Sequence, residues 1–263
     1  HRLAVEYGRE VTPAGTSFTI RKFREDPFTI VDLIKNETMN ESIAAYLWLL
    51  VENKMSLIII GATGAGKTTS LNAIACLIRP NYKIISVEEV AEINLPHENW
   101  IPSVVRLGFG NDDRRNGSIT LFDLLKAAVR QRPDYIIVGE VRGKEAYILF
   151  QQMATGHPSL ATIHAENINK LTDRLTTPPI SLPPSLMRSL DIVVFLSNLK
   201  YKNHFVRRAV EILEITGFNT RERMPIVNQV YKWDPIKDRF NTENSSVILE
   251  KVSQITGVKE KKV

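Results

Sequence analysis

Short apolar runs recur along the chain, each followed by a polar or glycine-bearing segment. Leu57-Ile58-Ile59-Ile60 is the first. Lys83-Ile84-Ile85-Ser86-Val87, Tyr135-Ile136-Ile137-Val138, Leu160-Ala161-Thr162-Ile163 and Ile192-Val193-Val194-Phe195-Leu196 follow. Continuous apolar runs of this length read as strands buried on both faces. Helical patterns lie between them. Leu121, Leu124, Leu125, Ala128 and Val129 fall at i, i+3, i+4, i+7 and i+8, which predicts a helix from Leu121 to about Gln131. Thr120 and Asp123 stand where a capping box would, and Arg130 and Arg132 sit at the end that favours cations. Asn40 to Glu52 and Thr69 to Ile78 predict two more helices, the second stopped by Arg79-Pro80. Strands alternating with helices predict an α/β fold, a mainly parallel sheet flanked by helices.

The two ends of the chain read differently. Residues 1–23 hold two strand patterns, Arg2 to Tyr7 and Ser17 to Arg21, split by Pro13-Ala14-Gly15. They are too few to fold alone and read as the end of an N-terminal domain. The chain opens on His1-Arg2-Leu3 rather than Met and enters strand sequence at once, so an N-terminal portion is expected to precede it. Residues 24–40 are mixed in character and read as a linker or junction. Residues 41–199 form the expected core. Residues 200–263 read as a β-hairpin, Arg207 to Ile215 with Ile226 to Trp233, and a closing helix from Ser246 to Ile255. The polar segment Asn111 to Gly117 is expected to be a mobile loop.

Composition adds a few bounds. A single cysteine, Cys76, excludes a disulfide framework or a Cys-rich zinc site within one chain, and fits a reducing, cytosolic compartment. Cys76 itself reads as a small core residue. The longest apolar run, Ile43 to Val51, falls far short of the ~20 residues a spanning helix needs. A net charge of +5 admits acidic partners but equally fits ordinary surface Lys and Arg, and the tail Lys259 to Lys262 reads as a solvated end.

The chemistry is most legible at Gly61-Ala62-Thr63-Gly64-Ala65-Gly66-Lys67-Thr68, which matches the P-loop pattern at every fixed position. It sits between a predicted strand and a predicted helix. Glycines let the backbone curl so that N–H groups face an anion, and the helix N-terminus adds partial positive charge. Lys67 would reach the β- and γ-phosphates and the Thr68 hydroxyl a magnesium ion, with Thr69 just beyond. Hydrolysis needs an acid at the metal, a group that activates water and cations for the developing charge. Three further strand ends offer candidates, where ligands of open α/β sheets collect. Val87-Glu88-Glu89-Val90-Ala91-Glu92 offers a water activator, or a solvated acidic end. Val138-Gly139-Glu140-Val141-Arg142 is a Walker B-like strand with Gly139 where Asp is usual, or a buried strand with a solvated Glu. Thr155-Gly156-His157 and Thr162-Ile163-His164 flank a strand with histidines, and a histidine can sense phosphate.

In their order, these four motifs resemble the secretion ATPases of type II and type IV secretion, type IV pili and archaeal surface filaments. Leu125 to Asp134, leading into the Walker B strand, is also family-like, and Gly139-Glu140 is the family's own form. The likeness covers roughly residues 17 to 196. It implies a RecA-like core that binds ATP and Mg2+ and assembles as a homo-oligomer, a hexameric ring. It implies that Glu88 polarises the attacking water, that Glu140 acts on magnesium through water, and that His164 reads the γ-phosphate. His157 belongs to the same box. Arg21 and Arg24 stand where family arginines reach the nucleotide from the N-terminal domain. A polytopic membrane platform is the implied partner, with the ring peripheral on the cytoplasmic face and no direct nucleic-acid partner. Two positions depart from the pattern. Glu89 replaces the usual Asp, and the bacterial four-cysteine zinc insert is absent. The wording Asn99-Trp100-Ile101 and Arg174 to Ile180 looks most like archaeal members. Two rival functions share the P-loop: a nucleic-acid translocating RecA-like ATPase and a non-motor P-loop kinase. Stimulation by single-stranded nucleic acid would mark the first, and phosphate moved to an acceptor the second.

Overall fold

A computed structural model of the chain describes residues 2–10, 12–22, 26–106, 108 and 117–257. Most of the loop expected at Asn111 to Gly117 and the tail at Lys259 to Lys262 lie outside them. Strands β1 (Arg2–Glu6) and β2 (Ser17–Arg21) pair antiparallel as a separate hairpin, with Leu3 opposite Ile20 and Val5 opposite Phe18. The stretch read as a linker contains a helix, α1 (Ile30–Lys35), started by a capping box between Thr29 and Asp32. Helix α2 (Glu41–Glu52) begins where predicted, capped by the Asn40 side chain on the Ile43 N–H.

The central strands are β3 (Leu57–Ile60), β4 (Ile84–Glu88), β5 (Trp100–Val104), β6 (Tyr135–Val141), β7 (Ser159–Ile163) and β8 (Ile192–Tyr201). They are followed by β9 (His204–Asn219), β10 (Met224–Asp234) and β11 (Arg239–Thr242). Among the described residues these nine strands form one sheet, in the order β11-β10-β9-β8-β3-β7-β6-β4-β5. Every pairing from β8 to β5 is parallel, and β9, β10 and β11 add to it antiparallel. Residue 199, read as the end of the core, lies inside β8, so the C-terminal hairpin continues the same sheet.

Helices cover both faces. Leu57 and Ile59 join the cluster that packs α1, α2, α3 (Lys67–Ala75) and α7 (Val247–Thr256). Ile58 and Ile60 join the cluster with α4 (Leu121–Val129), α5 (Glu145–Ala154), α6 (Ile168–Thr176) and the 3-10 turn Pro184–Ser189. That is why β3 is apolar at every position rather than at alternate ones. Cys76 is half-buried and packs against the first cluster. No helix among the described residues is long and apolar enough to cross a membrane.

One buried carboxylate ties the C-terminal helix to this framework. Glu214 on β9 is fully buried. Its oxygens accept from Tyr46 Oη at 2.8 Å, Asn228 Nδ2 at 2.9 Å, the Val247 N–H at 2.9 Å and the Ile248 N–H at 3.3 Å, and from the Ser246 hydroxyl. Its charge thus faces the N-terminus of α7, where the helix dipole is favourable. Burial, with this carboxylate second, holds the Tyr46 phenol far above its ordinary range. Glu214→Ala would leave these donors without a partner. It is expected to lower the unfolding free energy in urea by about 3 kcal/mol. A loss below about 0.5 kcal/mol would mean that the carboxylate does not anchor α7.

Candidate functional site

The parallel strands β3, β4, β6 and β7 end at one edge of the sheet. An open cleft of about 730 Å³ lies there, lined by the P-loop, by Glu88, Glu140 and His164, and by Arg21. The loop leaves β3 at Gly61. A Cβ built on that residue would stand 2.3 Å from the Leu196 carbonyl oxygen, so only glycine lets the loop pass β8 so closely.

Lys67 opens α3 and is nearly buried. Its ammonium donates to the carbonyls of Gly61 at 2.9 Å and Ala62 at 3.0 Å. It also lies 3.3 Å from His164 Nε2. An ammonium has three N–H groups and no acceptor, so a hydrogen bond here requires His164 Nε2 to accept, with the ring proton on Nδ1. Thr63 Oγ1 stands 3.3 Å from the same nitrogen. Burial first, then the charge of Lys67, pushes the His164 imidazole below its ordinary value. Burial also lowers Lys67. Arg174 on α6 fixes the segment after β7 by donating to the His164 carbonyl at 3.1 Å.

The two acidic motifs meet at one arginine. Arg142 donates to Glu140 Oε2 at 2.7 Å and to Glu89 Oε2 at 2.9 Å. Glu140 Oε1 is 3.9 Å from His164 Nε2. Burial raises the Glu140 carboxyl, but Arg142, His164 and Lys67 outweigh it and hold the group below the usual carboxylate range. Glu88 is 3% exposed. Its Oε1 accepts from the Glu92 and Ile93 N–H groups at 3.0 Å each, while its buried Oε2 has no partner among the described residues. Burial pushes its pKa up. A Cβ on Gly139 would lie 3.0 Å from Glu88 Cγ. The glycine in the place of the usual Asp is therefore the floor on which Glu88 rests.

Comparison with known proteins places this constellation. A profile described as "Type II/IV secretion system protein" matches residues 11–232. The chain belongs to the type II/IV secretion system protein family. It is 43% identical over 232 residues to the uncharacterized protein MJ1287 of Methanocaldococcus jannaschii, covering 88% of this chain and 85% of that one. It is 42% identical over 262 residues to MJ0900 of the same organism, covering 98% of this chain and 47% of the other. The chain thus spans about half of the longer relative. Among solved structures, the VirB11 ATPase of the Brucella suis type IV secretion system, in complex with sulphate, superposes with a TM-score of 0.56. That match is at 23% identity and covers 76% of this chain and 68% of VirB11. The chain therefore shares the α/β fold of that VirB11 structure, with a mainly parallel central sheet.

Within this secretion-system protein, the remaining candidates are placed unevenly. Thr68 and Thr69 line the cleft at the start of α3. Arg21 lines it too, exposed, with Nη1 3.9 Å from Glu92 Oε1. Arg24 lies outside the described residues. His157 is not brought to the cluster. It precedes β7, whereas His164 follows it, so the strand's length of roughly 16 Å separates them. Its Nδ1 is 3.2 Å from Thr155 Oγ1.

The Thr68 hydroxyl and the Glu140 carboxylate line one cleft, and such oxygens suit magnesium, a hard cation that takes few protein oxygens and shares phosphates. No three His, Cys, Asp or Glu side chains among the described residues cluster to hold a metal by themselves. A magnesium here would take most of its ligands from nucleotide and water. The sequence reading gave no role to Arg142, Arg174 or Arg207. Arg142 carried one signal, its place two residues after Glu140. Arg207, whose Nε donates to the Gly64 carbonyl at 3.0 Å, carried none.

The His164 environment has a measurable consequence. Its folded-state pKa lies below the unfolded value, so the folded protein binds this proton less readily. Stability is expected to fall as pH drops through the ordinary histidine range near about 6.5. NMR titration should place the His164 midpoint below that value, and Lys67→Met should raise it. A midpoint at or above the ordinary value, unmoved by Lys67→Met, would contradict the Lys67–His164 contact.

Proposed function

We propose that this chain is the ATP-hydrolysing part of a motor for protein secretion or pilus-type filament assembly. The observation that carries the reading is the Glu88 carboxylate: buried, with one oxygen unpartnered among the described residues, in the cleft that holds the P-loop lysine. A carboxylate whose pKa is raised by burial is a stronger base for a water proton than a solvated one.

The steps follow from the contacts. Lys67 exchanges the Gly61 and Ala62 carbonyls for the β- and γ-phosphate oxygens of ATP. Thr68 and, through water, Glu140 would hold magnesium, which supplies charge stabilisation at the phosphates. Glu88 Oε2 accepts a proton from water as that water attacks the γ-phosphorus and the bond to the ADP oxygen breaks. His164, deprived of its Lys67 donor, turns its imidazole to the γ-phosphate. Arg21, from the β1–β2 hairpin, adds a cation from outside the core. Its long, exposed contact with Glu92 is weak enough to give up. Hydrolysis removes the γ-phosphate that bridges hairpin and core and lets them shift, as in other γ-phosphate switches.

By analogy with its family, the chain would act as a homo-hexameric ring on the cytoplasmic face of a membrane, against a polytopic platform protein. Its likeness to Methanocaldococcus jannaschii relatives favours the archaeal branch.

Lys67→Ala is expected to abolish ATP binding and turnover. Glu88→Gln should leave ATP binding intact and lower the hydrolysis rate by about 100-fold or more. Near-normal turnover by Glu88→Gln would remove Glu88 from the role of base.

A further inference from the structure

The hydrolytic steps use one flank of the P-loop and leave the other without a task. In the sheet order, β7, β6 and β4 lie on one side of β3 and bring His164, Glu140 and Glu88. On the other side lie β8 and β9. Water and the γ-phosphate belong to the acidic flank. That leaves the β8–β9 side of the loop open to the rest of a nucleotide.

That hairpin leans on the loop. Asn198 Nδ2 stands 3.8 Å from where a Cβ on Gly64 would be, and Arg207 Cδ stands 3.1 Å from the same point on Gly66. Asn198 and Arg207 are cross-strand partners. Arg207 Nε donates to the Gly64 carbonyl at 3.0 Å. A guanidinium has five N–H donors, and among the described residues no partner engages its terminal nitrogens. Among the described residues no carboxylate pairs with it either. The contrast is with its neighbour Arg208, nearly buried and bonded to Asp238 and Glu37. Arg207 is thus an unneutralised cation pinned over the loop by one of its donors.

Phe205 lies two residues before Arg207 on β9, so both side chains leave the same face of the strand. It is 78% exposed and lines the nucleotide cleft. A lone exposed phenyl is ordinary. One that stands beside a phosphate loop, next to an uncommitted arginine and opposite the hydrolytic flank, has a specific use. Aromatic faces stack on nucleobases and guanidinium groups bind phosphate oxygens.

We propose that the β8–β9 hairpin is the nucleoside half of the site, with Phe205 stacking on the base and Arg207 binding the phosphates nearest the ribose. The ligand class is a nucleoside di- or triphosphate, and the proposal rests on the nucleotide reading of the cleft. In this arrangement the hairpin senses ADP as well as ATP, whereas the acidic flank senses only the γ-phosphate.

The test is calorimetric titration of the full chain with ATP, ADP and inorganic tripolyphosphate. Phe205→Ala is expected to weaken ATP and ADP about 10-fold or more and to leave tripolyphosphate unchanged. Phe205→Tyr should bind all three like the parent. Arg207→Gln should weaken ATP, ADP and tripolyphosphate together. Parental ATP affinity in Phe205→Ala would overturn the stacking role, as would equal losses of ATP and tripolyphosphate in that variant. Unchanged ADP affinity in Arg207→Gln would overturn the phosphate role. If the unaltered chain binds neither ATP nor tripolyphosphate, the nucleotide reading itself falls, and the hairpin proposal with it.

Discussion

Parallel pairing is the constraint on which the rest depends. Strands β3, β4, β6 and β7 run in the same direction and in fixed register, Ile60 beside Ile163 and Val87 beside Val138. Their C-terminal ends therefore fall together. Residues more than a hundred apart in sequence, such as Gly61 and His164, become neighbours without any contact of their own to draw them in. A slip of one residue would invert every side chain and displace a strand end by about 3.3 Å. The core prevents this. Leu57, Ile58, Ile59 and Ile60 are all buried, alternately in the two clusters that pack the helices. The apolar runs that specify the fold are thus also what holds the site in place.

On its acidic flank the cleft pairs its own charges. Lys67 is occupied by two loop carbonyls and His164, and Arg142 by Glu140 and Glu89. Binding an anion there is an exchange of contacts rather than the filling of open charge. Glu89 gains a physical role from this. It holds one arm of Arg142, and its extra methylene over Asp lengthens its reach to the guanidinium. Glu88 is the exception, a buried carboxylate with one oxygen unanswered among the described residues. Buried polar atoms are rarely left so, and those that are concentrate where chemistry occurs.

Much of this was legible from the sequence, and the exceptions have physical causes. The core strands and the helices at Glu41–Glu52 and Leu121–Val129 announced themselves through apolar pattern and caps. β5 and β11 did not. They are edge strands, largely exposed, and β5 carries Pro102, which an edge tolerates. Helix α1 was hidden because it is six residues long inside a polar stretch. The P-loop, Glu88, Glu140 and His164 stood out because each ends or follows an apolar strand. His157 has the same motif context but lies at the strand's beginning, which spacing alone did not convert into distance. Arg207 comes from a hairpin 143 residues after the Gly64 carbonyl it bonds, and Phe205, from the same hairpin, lines the cleft. Only the antiparallel extension of the sheet reveals them.

The central claim is that these strand ends hydrolyse ATP. Phosphate release from MgATP, measured per chain as protein concentration is raised, tests it most directly. The account predicts release at a specific rate that climbs and then saturates, as a site completed by assembly requires. ATP bound with no phosphate released at any concentration, or phosphate appearing on an acceptor instead of in solution, would contradict it.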